Sequence, residues 1–106
     1  MVNILLEQKY LDEIILIIKR IYPKSVVWAY GSRVNGTAHE GSDLDLVIKE
    51  YGQDNTNLFD LREELNNSNI PFLIDIFELA KLPENFQIEI KKNYVVIYDG
   101  KLLEKF

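Results

Sequence analysis

Three aspartates and one Gly-Ser pair hold the chemistry that this chain can perform. Asp43 and Asp45 lie one residue apart in Ser42-Asp43-Leu44-Asp45-Leu46-Val47-Ile48, and the alternation of that run reads as a strand. Side chains two apart on a strand face the same way, so both carboxylates project together, their backbones roughly 6–7 Å apart. Leu44, Leu46 and Ile48 then take the opposite, core face. Asp is disfavoured in strands, and like charges on one face repel. A cation between them removes that penalty, and hard oxygen ligands favour Mg2+ or Mn2+ over zinc. A solvated strand face that happens to carry two acids would show the same pattern.

Asp75 is the only charge in Phe72-Leu73-Ile74-Asp75-Ile76-Phe77 and shares a face with Leu73 and Phe77. A carboxylate in an apolar strand is costly unless it is paired, metal-bound or catalytic. If this strand lies beside the first, about 4.8 Å away, Asp75 joins the other two. A strand-end Asp held by an N–H or a Lys is the competing reading. Gly31-Ser32 closes an earlier apolar run. Glycine lets a ligand approach the backbone, Ser32 offers a hydroxyl and an N–H, and a following helical turn would suit a phosphate. A plain turn with Ser32 as N-cap also accounts for the pair. Arg33 either reaches the phosphate or lies in solvent. Together the parts fit one reaction: two divalent ions on three carboxylates can bind a nucleoside triphosphate and activate a hydroxyl for in-line attack at phosphorus.

The elements that must position these groups follow from periodicity. Residues 5–21 carry Leu11, Ile14, Ile15, Ile18 and Ile21 at helical spacing, with Lys19 and Arg20 in the last turn and Pro23 as a stop. Residues 25–30 read as a buried strand with Trp28 in the core, 31–42 as turn-rich, 43–48 as a second strand and 49–57 as a polar connection. Leu58, Leu61, Arg62 and Leu65 make a short amphipathic helix, and 72–77 a third strand. Pro83 and Glu84 open a helix to about Lys92, with Phe86 and Ile90, and less clearly Ile88, facing inward. Residues 94–98 form a fourth strand, and Asp99-Gly100 reads as a hairpin-type turn. The expectation is one α+β domain over 1–106, a mixed β-sheet with helices packed mainly on one face.

Charge and composition exclude several classes. Twelve Lys and Arg against seventeen Asp and Glu give a net charge of −5, so a polyanion would be repelled and direct nucleic-acid binding is not expected. The balance suits a cation or a basic partner. No cysteine is present, which removes disulfides, thiol catalysis and zinc–thiolate sites and fits a reducing, cytoplasmic setting. The longest aliphatic run, 14–18, falls far short of the ~20 residues of a membrane span, and the N-terminus lacks signal-peptide character. His39, the sole histidine, reads as a solvated loop residue. Tyr94, Tyr98, Leu102, Leu103 and Phe106 divide between core packing and an apolar edge for a partner.

At these residues the chain resembles the minimal nucleotidyltransferase group of the polymerase-β-type nucleotidyltransferase superfamily. The family pattern is Gly-Ser, ten residues, then Asp-x-Asp. Gly31-Ser32 and Asp43-Leu44-Asp45 match it at that spacing, in the longer form GSRxxGxxxxxSDLDL. Asp75 stands where the family has its third carboxylate, and the elements come in the family's order over nearly the whole chain. The resemblance implies a polymerase-β palm-like fold and ATP as substrate. It implies two Mg2+ (or Mn2+) ions on Asp43, Asp45 and Asp75, with Asp75 also a base for the acceptor hydroxyl. Gly31 and Ser32, with Arg33 and Ser42, would bind the nucleotide. The implied partner is an adjacently encoded HEPN-domain ribonuclease toxin, which the chain would neutralise as antitoxin by moving AMP onto a tyrosine. Alternatives are a non-catalytic antitoxin that acts by occlusion and a subunit that modifies a small-molecule hydroxyl. The chain leaves no residues for an acceptor-binding domain of its own, so a partner would supply that site.

Overall fold

The computed structural model describes residues 4–37 and 41–103, with no side-chain description at Leu103. Strand β1 (Val26–Tyr30) is buried along its whole length, because its β-branched and aromatic residues face apolar layers on both sides. It pairs antiparallel with β2 (Leu44–Glu50) on one side and with β4 (Val95–Asp99) on the other. Strand β3 (Ile74–Glu78) adds to β2 in parallel, giving the order β3-β2-β1-β4. A parallel neighbour requires a crossover, and helix α3 (Leu58–Asn66) provides it. The mixed sheet expected from the sequence is the one observed.

One face of the sheet packs against α1 (Gln8–Ile21) and α3. Leu11, Ile14, Ile17 and Ile18 of α1 meet Val27, Ala29, Leu44, Leu46 and Ile48, with Leu61 and Leu65 from α3. Burying each such side chain contributes about 1.5–3 kcal/mol, so this layer carries the main core. Helix α1 stops where Pro23 follows and the Tyr22 N–H bonds Ile18 O. Asn57 caps α3, its Oδ1 accepting from the Phe59 N–H at 3.0 Å.

The other face is only partly covered. Val26, Trp28, Tyr30 and Val47 pack with Leu79 of a 3-10 turn (Leu79–Lys81) and Ile90 of α4 (Glu84–Lys92). Trp28 is core, as expected, with Tyr94 stacked on it at 4.0 Å. Ile88 differs from expectation at 50% exposed, whereas Phe86, 42% exposed, still sets its ring edge-on against buried Tyr30, and Ile90 is the fully buried residue of α4.

The helical turn considered after Gly31-Ser32 is present, and one further expectation is corrected. The turn-rich stretch after β1 contains a short helix, α2 (Ser32–Asn35), ended by Gly36 in the left-handed region at φ 87°. Asp99-Gly100 is no hairpin turn. Asp99 Oδ1 accepts from the Lys101 and Leu102 N–H groups and caps α5 (Gly100–Leu103). A capping Asp and a turn Asp look alike in sequence, because both exploit a side chain that bonds nearby backbone. Tyr98 is buried, whereas Leu102 is exposed; Leu103's side chain, Phe106 and His39 lie outside the described residues. Among the described residues no helix is long and apolar enough to cross a membrane.

Candidate active site

The incompletely covered face carries the acids. Residues of β2 alternate, so Asp45 and Val47 point away from α1 and α3 while Leu44, Leu46 and Ile48 point toward them; Asp43 lies just before the strand, close enough for its charge to act on Asp45. In the parallel pair, Asp45 stands directly opposite Asp75, and in the antiparallel pair it stands opposite Tyr30. Asp45 and Asp75 are therefore next-door neighbours across about 4.8 Å of sheet, with Asp43 two residues before Asp45 in the chain. The Leu44 N–H bond to Leu73 O at 2.9 Å starts this pairing. Asp43 is exposed, and Asp45 and Asp75 are half-buried.

Gly31 is shaped around Asp45. Its φ is +80°, and a Cβ placed there would lie 2.5 Å from Asp45 Oδ2. A side chain at this position is thus excluded both by backbone conformation and by the carboxylate itself. Beyond Gly31 the chain turns at once into α2, so Ser32 begins that helix beside the acid face.

None of the three aspartate side chains makes a hydrogen bond or ion pair among the described residues. Burial first, then the charges of Asp75 and Asp43, push the Asp45 carboxyl above its ordinary range. Tyr30 is pushed up to about 12 by burial and by the same Asp45 and Asp75. Negative charge gathered at Asp45 and Asp75 is what a hard divalent cation would relieve, and the all-oxygen donor set fits Mg2+ or Mn2+. The cage is not preformed, since among the described residues no three His, Asp or Glu side chains converge closely enough to ligate one ion. Closing around an ion calls for rotamer changes in side chains that nothing else holds.

Arg33 does not lie in solvent, and it meets Ser42. Arg33 is buried, with Nε and Nη2 donating to Ser42 O at 3.0 and 2.7 Å and Nη1 to Leu5 O at 2.8 Å. Its guanidinium also lies 4.1 Å from the Phe72 ring centroid. These contacts strap the segment before β2 to α2 and to residues 4–6, and they set where Asp43 and Asp45 enter the sheet. The structure thus brings Asp43, Asp45, Asp75, Gly31 and Ser32 together, and places Arg33 and the Ser42 carbonyl in the frame beneath them. Two features escaped the sequence: this frame role of Arg33, and Tyr30 as the residue facing Asp45. The position of Tyr30 immediately before Gly31 was the available signal for the second.

Comparison with known proteins agrees with this geometry. A family model described as polymerase beta, nucleotidyltransferase matches residues 12–101. A relative from Haemophilus influenzae, named probable protein adenylyltransferase MntA, is 40% identical over 91 residues, covering 84% of this chain and 80% of the relative. A solved structure described as a toxin–antitoxin with AMP-PNP superposes with a TM-score of 0.68 at 20% identity, over 84% of this chain and 73% of that one. At that identity the likeness is one of fold.

Proposed function

Because the chain belongs to the polymerase-β-type nucleotidyltransferase superfamily, in its minimal group, we propose that it transfers AMP from ATP to a tyrosine hydroxyl of a toxin partner and so acts as its antitoxin. The observation that carries the reading is the Asp45–Asp75 pairing across parallel strands, with Asp43 two residues before Asp45 in the chain and Gly31 fitted against Asp45. The adenylyltransferase name of the relative and the toxin–antitoxin neighbour support it, and the partner we favour is a HEPN-type ribonuclease.

In this reading Gly31 and the start of α2 present backbone N–H groups to the triphosphate, with the Ser32 hydroxyl alongside. Asp43, Asp45 and Asp75 would hold Mg2+ or Mn2+, which supplies charge neutralisation for the phosphates and for the leaving pyrophosphate. Asp75 accepts the proton of the tyrosine hydroxyl. The freed oxygen attacks the α-phosphorus, the bond to the β-phosphate oxygen breaks, and pyrophosphate leaves with that electron pair. The product is a tyrosyl-AMP ester. In-line attack requires the acceptor opposite the leaving group, and the partly covered acid face leaves that approach open to a second protein.

Incubation with labelled ATP, Mg2+ and the product of the neighbouring gene tests the proposal. Label on a partner tyrosine is expected with the wild-type chain and lost with Asp43→Asn/Asp45→Asn; transfer that survives the double substitution removes the mechanism. A second reading, neutralisation by occlusion alone, is favoured by Leu73 and Phe77, 53% and 42% exposed on either side of Asp75, since apolar side chains there suit a docked protein. The same double variant separates the two: if it still neutralises the partner at equal expression, catalysis is not needed.

A further inference from the structure

Tyr30 holds a hydroxyl that packing does not explain. Its ring sits in the smaller core with Trp28, Val47, Leu79 and Ile90, and the Phe86 ring meets it edge-on at 6.0 Å. Only 9% of the residue is exposed. Other tyrosines whose rings are enclosed use their hydroxyls within the protein. Tyr22 donates to Asn57 O at 3.0 Å, Tyr98 to Pro23 O at 2.6 Å, and Tyr51 to Glu78. Tyr30 makes no such bond among the described residues. Buried hydroxyls are normally satisfied, and no described side-chain oxygen or nitrogen is both sealed from solvent and unpaired. The hydroxyl of Tyr30 therefore reaches an opening, and the opening is the acid face, because Tyr30 stands opposite Asp45 in the sheet.

The acceptor that would use it is set by chemistry. A phenol O–H is a donor with one strong bond to give. It stands at the end of β1, one residue before Gly31, where the backbone turns into α2. A phosphate chain laid along Gly31-Ser32 brings oxygens that can only accept. Phenylalanine would serve equally well for packing alone, so the oxygen is the part left to account for.

We propose that the Tyr30 hydroxyl donates a hydrogen bond to a phosphate oxygen of a nucleoside triphosphate bound over Gly31-Ser32 and the acid face. The inference rests on the nucleotidyltransferase reading above and adds to it a residue that selects the phosphate chain. Tyr30→Phe is the natural probe, since it keeps the ring in its cage and removes one oxygen that no protein group uses among the described residues.

Binding is measured by calorimetry in Mg2+ with three probes: a non-hydrolysable ATP analogue, tripolyphosphate and adenosine. For Tyr30→Phe the affinity for both phosphate-bearing probes should fall roughly ten-fold or more, the size of a lost bond to a charged group, with an unchanged melting temperature. Equal affinities for wild type and variant overturn the inference while leaving the proposed function intact. A loss confined to adenosine also overturns it, because the hydroxyl would then contact the nucleoside. Wild-type protein that binds neither phosphate-bearing probe defeats the nucleotidyltransferase reading and this inference with it. A 3-fluorotyrosine label gives a check that needs no substitution in the measured protein: the resonance of position 30, assigned by its absence from Tyr30→Phe, should shift on adding Mg2+ and tripolyphosphate. A resonance that stays put overturns the inference.

Discussion

Replacing Asp45 by Asn should make the metal-free protein more stable at neutral pH while destroying its activity. Asp45 and Asp75 face each other on adjacent strands, and neither carboxylate has a partner among the described residues. With the carboxylates separated by about one strand spacing, ~5 Å, their repulsion is roughly 0.8 kcal/mol at a dielectric of ~80 and about 3 kcal/mol at ~20, and partial exposure places it toward the lower figure. Asp43 adds a smaller amount from farther away, so removing the Asp45 charge should stabilise the fold by about 1 kcal/mol. In a chain of this size that raises the melting temperature by about 4 °C or somewhat more. The pH dependence follows from the direction of the Asp45 shift. Burial, then Asp75, then Asp43 raise its pKa above the ordinary value, so the native state holds this proton more tightly than the unfolded chain does. Wild-type stability should therefore increase as pH falls through the raised value, and decrease as pH rises through it. The gain from Asp45→Asn is accordingly full at neutral pH and shrinks on acidification toward the ordinary carboxylate range. Thermal melts in chelator across that range read both quantities. An Asp45→Asn protein that melts at or below wild type at neutral pH would refute the reasoning, because it would mean the carboxylate is held by favourable contacts. Added Mg2+ should reverse the order, stabilising wild type more than the variant.

Three other substitutions probe the scaffold of the site. Gly31→Ala places a methyl against Asp45 Oδ2 and strains a backbone at φ +80°; it should cost about 1–3 kcal/mol of stability and abolish transfer, read by denaturant melts and labelled ATP. Arg33→Ala removes three hydrogen bonds to the Ser42 and Leu5 carbonyls and should destabilise by about 2–4 kcal/mol, whereas a purely phosphate-binding Arg33 would leave the melt untouched. Asn66→Ala strips the outer edge of β3, where the Asn66 amide bonds both Ile74 N and Ile74 O at 2.9 Å; about 1–3 kcal/mol of stability should go, together with increased self-association through the uncovered strand, visible by light scattering.

What local pattern could and could not show is clearest at the acid face. The alternation Leu44-Asp45-Leu46 settled which side of β2 the Asp45 carboxylate takes, because side-chain direction on a strand depends only on parity. The Gly-Ser to Asp-x-Asp spacing was equally legible, and so was the family it marks. Asp75 was recognisable as an anomaly in an apolar run, since one charge among five apolar neighbours needs an explanation wherever the run lies. By contrast, helical spacing alone does not separate Phe86, whose ring meets Tyr30, from Ile88, which is half exposed, because spacing identifies a stripe without saying where its edge falls. Asp99-Gly100 reads as a hairpin turn in isolation, because its neighbours decide whether the Asp side chain caps a helix or closes a hairpin.

Sequence by itself determined the inventory: three carboxylates and a Gly-Ser turn at a fixed spacing, the order of the four strands and the three longer helices, and a net charge of −5. Tertiary structure alone decided that Asp75 stands opposite Asp45, that Gly31 is moulded to the Asp45 carboxylate, that Arg33 braces the loop from below, and that Tyr30 faces the acids with its hydroxyl unused. The physical reason is the range over which each is set. Periodicity, caps and turn chemistry act over a few neighbouring residues, whereas strand register is fixed by which apolar sets two distant segments bury together. Asp45 and Asp75 come into line because Leu44, Leu46 and Ile48 on one strand and Ile74 and Ile76 on the other fill the same core.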